Sequence, residues 1–406
     1  MTTIQPAQVS RTEFIVLIAF MISLVAMTTD VMLPGLVLIA SDLGQSDPNA
    51  GHLVISVLFA GFAIGQLVTG PLSDCYGRRP VIHASYAVFC VGCALSLFAS
   101  SFEMLLAGRV LQGLGMAGPR IVAIAIVRDG FEGRAMARIM SFVMAVFILV
   151  PAVAPAIGQV VIAQSGWRAT FTLLLVIAAI SWAWFGLRQP ETLLPAHRRS
   201  FSLKGIFQGI GIICRIPAAL GYTLCAGMIF GPFLAYLSLA QQIFQGSYDK
   251  GDGFALWFAV AALSIGAASI LNSALVEKWG MRFLSNLALF GVMGASAIFM
   301  IAVILWGGLP PFTLFMIWIM STFFGMGLLF GNLNALAMEP LGKMAGLGAA
   351  VVGALATAVA IPIGFVISNG YDGSVGTLVT GFGVAALVAL LIGKWASGTS
   401  GQVAVG

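Results

Sequence analysis

Charged residues are scarce in this chain of 406 residues: they make up 8% of it, while 60% of the residues are hydrophobic. Soluble globular proteins carry about 25% charged residues, so this chain has too few to cover a surface that faces water. The shortage excludes a soluble globular protein. Apolar runs instead recur from Phe14 to Trp395, without the alternation of apolar and polar residues that a membrane β-barrel requires.

Histidine and cysteine are also rare, with three and five copies. An intramembrane enzyme would need a nucleophile and a base, or metal ligands, grouped at membrane depth, but His52, His83 and His197 are far apart in loops or near helix ends. Cys90 and Cys93 have the spacing of a redox CxxC motif, yet they lie inside an apolar run, where cysteine behaves as a small hydrophobic residue. No phosphate-binding GxxxxGKS or GxxxxGKT sequence occurs. We therefore expect no enzyme, metal, cofactor or ATP drive.

The apolar runs predict an all-α membrane protein with twelve transmembrane helices, each run being close to the roughly 20 residues that cross a bilayer. The predicted spans are 14–38, 51–72, 80–100, 104–128, 138–163, 169–188, 218–243, 253–275, 283–306, 312–337, 345–368 and 376–395.

Basic residues are distributed unevenly along this pattern. Fifteen of the 19 lie in the N-terminal segment, the C-terminal end or the loops on the same side as these; the other four are Arg109, Arg120, Arg168 and Lys250. Cytoplasmic loops carry the excess of Lys and Arg, so both termini are predicted to be cytoplasmic. The asymmetry also explains the net charge of +5 without any nucleic-acid partner.

A long polar stretch divides the chain into two halves with a weak internal repeat. Gly70–Arg79 and Ser273–Arg282 align at an offset of 203 residues, with Gly77 matching Gly280. Parallel repeats of this kind build many transporters, with the substrate site between them. We predict an N-terminal six-helix bundle (1–190), a cytoplasmic linker (191–217), a C-terminal six-helix bundle (218–395) and a tail (396–406). The linker carries apolar residues at helical spacing, which predicts an amphipathic helix lying on the membrane or packed against the protein.

Four motifs resemble those of the major facilitator superfamily, in particular its drug/proton antiporters of the bicyclomycin- and chloramphenicol-resistance type. Gly70-Pro-Leu-Ser-Asp74-Cys-Tyr-Gly77-Arg78-Arg79 is similar to the loop motif GxLaDrxGrr, and Arg109-Val-Leu-Gln112-Gly113 to RxxQG. Pro151-Ala-Val-Ala-Pro155-Ala-Ile-Gly158 is similar to the antiporter signature GxxxGPxxGG, and Thr29-Asp30-Val-Met-Leu-Pro34 to the acidic motif of the first span. Departures are Cys75, Pro151 and Gln159, which replace a basic residue and two glycines.

The resemblance implies the major facilitator fold and proton-coupled efflux of small organic molecules such as drugs, by alternating access and as a monomer. An exporter dedicated to one polar or anionic metabolite (a siderophore, sugar or amino-acid derivative) is the alternative. A receptor with the same fold is a third possibility, which flux measurements in liposomes would separate from a transporter.

Asp30 is the only one of 14 acidic residues that falls well inside a predicted span. An ionisable group at that depth costs about 2.5–3.5 kcal/mol even on the more lenient insertion scale, which favours a proton-carrying role over a structural one. Arg109 is its predicted partner because both residues lie six positions, or about 9 Å, from the same boundary. Gln112 faces the same way, one turn further on. A static brace between helices is the competing interpretation.

Arg120 follows Arg109 by 11 residues, which returns it to within about 20° of the same helix face. Arg109, Gln112, Met116 and Arg120 therefore form one stripe. Arg120 is predicted either to contact an anionic or strongly polar substrate or to pair with acidic or carbonyl groups of the chain. Tyr236 and Asn332 are further cavity candidates, although polar residues in membranes often merely bridge helices.

The loop motif predicts a conformational latch. Gly70 permits close packing and Gly77 a tight turn, while Arg78 can reach Asp129. Asp74 can accept hydrogen bonds from the free N–H groups of a helix start, for which we predict residues 343–347. The basic residues of the loop also serve membrane orientation, so a purely topogenic role is the alternative.

Overall fold

The computed structural model describes residues 10–198, 201–251 and 253–399, and within these ranges every regular element is helical. Fourteen α-helices follow one another: α1 (Arg11–Asp30), α2 (Leu36–Asp42), α3 (Gly51–Tyr76), α4 (Arg78–Leu97), α5 (Phe102–Gly130), α6 (Gly133–Ser165), α7 (Arg168–Arg188), α8 (Leu203–Arg215), α9 (Pro217–Gln241), α10 (Phe254–Trp279), α11 (Met281–Leu305), α12 (Phe312–Met338), α13 (Ala345–Asn369) and α14 (Gly376–Thr399).

The prediction of twelve spans is confirmed. Eleven helices of the described chain are long and apolar enough to cross a membrane, and α6 is the twelfth, with its apolar part at Leu149–Ser165. The first span is interrupted: α1 ends at Asp30, a 3-10 turn follows at Leu33–Gly35, and α2 continues. Pro34 accounts for the interruption, because it lacks the N–H that would bond the carbonyl of Asp30.

The short helix α8 occupies the segment for which an amphipathic helix is predicted. Its two sides differ strongly: Ile213 is buried, while Phe207 is 71% exposed. A Cβ atom at Gly209 would lie 2.6 Å from Leu347, so this side of α8 packs against α13. The helix is thus a packed linker helix on one side and leaves apolar surface free on the other.

Contacts between helices divide the chain into two compact units. Unit 1 holds the described residues up to Met32 together with Val57–Ile206. Unit 2 holds Leu33–Ser56 and the described residues from Phe207 onwards. The division predicted from the sequence places Leu33–Ser56 in the N-terminal bundle and so differs from the structure in this segment.

Specific bonds attach Leu33–Ser56 to the rest of unit 2. The backbone N–H of Val37 donates to Oε1 of Gln241 over 3.0 Å, and Nδ2 of Asn49 donates to the carbonyl of Tyr371 over 3.1 Å. Neither pairing has a sequence signature, since each joins residues more than 200 positions apart.

Glycines allow the helices of unit 1 to pack backbone against backbone. A Cβ at Gly113 of α5 would overlap the carbonyl oxygen of Leu58 in α3, and one at Gly115 would overlap the backbone of Phe89 in α4. Helices in membranes associate through such small residues, because lipid supplies no hydrophobic driving force between them. The core of unit 1 is therefore set by α5, with α3 and α4 in close contact.

Candidate functional site

Asp30 is the last residue of α1 and is 4% exposed. The hydroxyls of the preceding Thr28 and Thr29 bond back to the carbonyls of Leu24 and Val25, at 2.6 and 3.0 Å. Within the described part of the chain, the Asp30 carboxylate forms no ion pair. Ionising a buried carboxyl group without a counter-charge carries a desolvation cost, so this group is poised to respond to any change in its surroundings.

Arg109 is fully buried, and it reaches α1 but not through Asp30. Its Nη1 donates to the carbonyl of Thr28 over 3.2 Å and to Oε1 of Gln112 over 2.6 Å. The predicted direct pair between Asp30 and Arg109 is therefore wrong for this structure. The reason is that α1 ends at Asp30, which leaves its last carbonyls without helical partners, and a cation at a helix C-terminus is favourable.

Gln112 extends this arrangement to α4. Its Nε2 donates to Oγ of Ser96 over 3.1 Å, and that hydroxyl donates to the carbonyl of Gly92 over 2.9 Å. A continuous hydrogen-bonded chain thus joins α1, α5 and α4 through Arg109. The side chains of Arg109 and Gln112, the first half of the predicted stripe, therefore bond to other residues of unit 1.

The span-five signature lies against the break in the first span. A Cβ at Gly158 of α6 would overlap the carbonyl oxygen of Val31, the residue directly after Asp30. Pro151 and Pro155 lie inside α6, and each removes one backbone donor from its hydrogen-bond ladder. The motif residues therefore allow α6 to contact α1 beside its buried carboxylate.

The second half of the stripe differs from the first. Met116 is fully buried. Arg120 lies with its guanidinium carbon 4.7 Å from the ring centroid of Phe147 in α6. Its Nη1 is buried and has no hydrogen-bond partner among the described residues, so the predicted pairing with acidic or carbonyl groups is not formed at this atom.

The two cavity candidates of unit 2 are both engaged in packing. Tyr236 is fully buried, with its ring centroid 4.7 Å from Phe323 and 5.7 Å from Phe258. Asn332 exchanges two hydrogen bonds with Asn272, of 3.0 and 2.9 Å, which joins α12 to α10. The amide of Asn332 bridges two helices, as polar residues in membranes often do.

Sequence reasoning missed an aromatic cluster on α9 and α12. Phe230, Phe233 and Phe330 are all half-buried and meet with centroid distances of 5.9–6.3 Å. Single phenylalanines carry no signal in a chain this apolar, and only the pairing of the two helices brings these three together. Their exposed faces form an aromatic surface of unit 2.

The loop motif Gly70–Arg79 forms an ionic network. Nε and Nη2 of Arg78 donate to the two carboxylate oxygens of Asp129 over 2.9 and 3.3 Å, which is the predicted contact. Its Nη1 donates to Ser73 over 2.8 Å and to Asp74 over 2.5 Å. Asp74 is thus engaged within its own loop, and its predicted contact with the helix start at 343–347 stays a prediction.

Glu191 completes this network, and sequence reasoning missed it. Its carboxylate accepts the backbone N–H groups of Arg78 and Arg79, at 2.9 and 3.0 Å, and also those of Thr192 and Leu193. The first N–H groups of α4 have no partner within the helix, and Gly77 cannot supply a side-chain cap. An acidic residue directly after the sixth span was the available signal.

Comparisons with known proteins identify the family and the fold. The family model of the Major Facilitator Superfamily matches residues 16–365. Similar curated proteins include the uncharacterized MFS-type transporter YdgK of Bacillus subtilis (28% identical, covering 83% of this chain and 85% of that protein). Others are multidrug resistance protein D of Escherichia coli (26%; 92% and 93%) and a bicyclomycin resistance protein homolog of Haemophilus influenzae (29%; 70% and 71%).

Among solved structures, a D-xylose-proton symporter superposes with a TM-score of 0.76 at 14% identity, covering 95% of this chain and 97% of that one. At this identity the likeness concerns the fold alone. The family model, by contrast, is a match of sequence, and at residues 16–365 it spans most of the chain. The chain therefore belongs to the major facilitator superfamily of membrane transporters.

Proposed function

We propose that this transporter is a proton-coupled exporter of small organic molecules, working by alternating access in a bacterial inner membrane with both termini cytoplasmic. The names of its relatives, which include multidrug and bicyclomycin resistance proteins, support the substrate class. The uneven distribution of Lys and Arg supports the orientation. Protons and the substrate are the only partners besides lipid, and the working unit is a monomer.

The proposal of proton coupling rests on the burial of Asp30 and on its lack of a counter-charge. It is the only acidic residue well inside a predicted span, it is buried, and no cation of the described chain pairs with it. Ionisable groups placed so within a membrane mark proton and substrate pathways. Arg109 of α5 contacts α1 two residues before Asp30, where it donates to the carbonyl of Thr28.

This geometry supports a specific coupling step. When Asp30 loses its proton, its negative charge attracts the guanidinium of Arg109 more strongly than the neutral carbonyl of Thr28 does. Transfer of the guanidinium releases the end of α1, beside which Gly158 of α6 lies. Protonation reverses the exchange, so the proton controls the contacts of α1 with α5.

The remaining predicted roles belong to the same proposal. Gln112, Met116, Arg120, Tyr236 and Asn332 line or shape the substrate cavity. The network of Arg78 with Asp74 and Asp129 is a latch that holds the loop motif in one geometry and is released when the transporter changes state. Pro151, Pro155 and Gly158 shape α6 so that it can pack against the end of α1.

The test uses purified protein in proteoliposomes with an imposed pH gradient, with chloramphenicol, ethidium and benzoate as neutral, cationic and anionic probes. We expect gradient-driven flux of at least one probe. Asp30→Asn should mimic the protonated state, so it should keep substrate binding and probe exchange at equal pH but lose the gradient-driven flux. Glu103→Gln, at the exposed start of α5, is the matched control and should retain it. Full gradient-driven flux in Asp30→Asn would contradict the assignment.

A second candidate, the dedicated exporter of one polar or anionic metabolite, is favoured by the unpaired Nη1 of Arg120. In the same assay it predicts that benzoate alone among the three probes is carried.

A further inference from the structure

Arg120 lies deep within α5, the helix that carries the stripe. It is ten residues from the Gly130 end of α5, or about 15 Å at 1.5 Å per residue, and 18 residues, or about 27 Å, from the Phe102 end. A charged side chain at such depth is costly and normally faces a partner or a water-filled cavity. The group that Arg120 faces therefore bears on what the transporter binds.

The other buried arginines of unit 1 have polar partners from the chain itself. Arg78 holds two carboxylates, and Arg109 holds a carbonyl and an amide oxygen. Arg120 instead makes no hydrogen bond or ion pair with any described residue: its guanidinium rests against the ring of Phe147, and its Nη1 is buried there. A ring face satisfies part of the charge through cation–π attraction but accepts no in-plane N–H bond.

Among the described residues of the membrane-spanning helices, no carboxylate lies at the depth of Arg120. Asp30 is the only acid well inside a predicted span, and Arg109 shows where α1 meets α5, because it donates to Thr28. Arg109 and Arg120 are 11 residues, or about 16 Å, apart along the helix. An anion that pairs with Arg120 at this depth would therefore come from outside the described part of the chain.

We propose that Arg120 binds an anionic carboxylate-type group of the transported substrate, an inference that rests on the proposed transport function. The ring of Phe147 holds one face of the guanidinium, which leaves its in-plane N–H groups for a ligand. A planar guanidinium matches a carboxylate with two parallel hydrogen bonds. The fully buried Met116, one turn away, lowers the local polarity and strengthens such bonds.

The test measures binding of two probes of nearly equal shape, 4-phenylbutyrate and its uncharged amide 4-phenylbutyramide, by calorimetry on the full chain in detergent. One charge-assisted hydrogen bond is equivalent to about tenfold or more in affinity, so the carboxylate should bind at least that much tighter. Arg120→Gln should abolish the preference while leaving the affinity for the amide within about twofold. Arg120→Lys, which keeps the charge but not the planar fork, should retain part of it.

Arg168→Gln is the matched control. Arg168 also rests on an aromatic ring of unit 1, 4.1 Å from Trp167, but donates to the carbonyl of Ala99; its loss should leave the preference unchanged. Equal binding of both probes, binding of neither, or a preference that survives in Arg120→Gln would overturn the inference.

A phosphate headgroup of a lipid shares the same chemistry, so the measurement is repeated in nanodiscs of phosphatidylcholine with and without phosphatidylglycerol. Loss of 4-phenylbutyrate binding only when phosphatidylglycerol is present would assign Arg120 to lipid and overturn the substrate role. Gradient-driven flux is measured separately: an intact carboxylate preference without such flux would contradict the proposed function and leave this inference standing.

Discussion

Two loops that align in the internal repeat differ in their chemistry. Gly77, between α3 and α4, and Gly280, between α10 and α11, align in the internal repeat and have φ values of 103° and 77°. Both positions thus share a backbone conformation that favours glycine. In the first loop, the next residue is Arg78, 3% exposed and bound to two carboxylates. In the second, the corresponding residue is Met281, which can form no ion pair.

The second loop has one ion pair among the described residues, and it is weak. Arg282 and Glu339 are 3.8 Å apart, with side chains 48% and 57% exposed. Exposed pairs of this kind contribute about 0–1 kcal/mol. The repeat thus preserves the turn in both units, but only unit 1 builds a buried network on it, so the two loops should respond very differently to equivalent substitutions.

The largest difference is expected for the two arginines. Arg78→Gln removes the cation between Asp74 and Asp129, and breaking a buried pair costs about 3–5 kcal/mol; partial exposure of Asp74 favours the lower end. Arg282→Gln should cost less than about 1 kcal/mol. Thermal unfolding midpoints of the purified proteins in detergent measure both. Equal midpoints would show that the network of the first loop is energetically no different from an exposed pair.

A smaller difference is expected for the two glycines. Alanine at either position costs on the order of 1–3 kcal/mol, because positive φ combined with ψ values of 162° at Gly77 and 155° at Gly280 is a conformation that almost only glycine adopts. At Gly77 the added Cβ would also lie 2.5 Å from Oε2 of Glu191 and 3.2 Å from Arg198, whereas nothing lies within 4 Å at Gly280. Gly77→Ala should therefore lower the unfolding midpoint more than Gly280→Ala. Matching losses would mean that Glu191 does not hold the turn.

The smallest effect is expected for the two acidic residues of the repeat, Asp74 and Glu277. It concerns the rate of transport rather than the stability of the protein. Asp74→Asn should leave membrane insertion unchanged, because acidic residues contribute little to orientation. It should slow transport about tenfold, equivalent to one charge-assisted hydrogen bond. Glu277→Gln, at the matching exposed position, should transport at the normal rate. Initial rates in proteoliposomes distinguish them, and a normal rate for Asp74→Asn would count against the latch.

Features governed by periodicity and composition were predictable from the sequence. The spans follow from the length of apolar runs, and the contact of Arg78 with Asp129 follows from two loops on one side of the membrane. The direct bond between Asp30 and Arg109 is not formed in this structure, because helical rise gives depth but not which atom a long side chain reaches. Knowing that Pro34 ends α1 early would have pointed to the carbonyl of Thr28 instead.

Contacts that depend on the return of a distant segment could not be predicted. Glu191 caps α4 from 113 residues away; an acidic residue after the sixth span signals an ionic contact, but nothing in the linker identifies α4 as its partner. The attachment of Leu33–Ser56 to unit 2 is of the same kind, because the bond of Val37 to Gln241 depends on tertiary geometry alone.

The backbone contacts of α5 have a consequence for how substrate range can evolve. Where a glycine faces a carbonyl of α3 or α4, as Gly113 does, no larger residue fits, so these positions are closed to variation. The rings of Phe230, Phe233 and Phe330 are only half-buried, so changes in their size meet less steric resistance. Drift in specificity should therefore accumulate on the aromatic surface of unit 2, while the rigid α5 spine of unit 1 keeps its sequence.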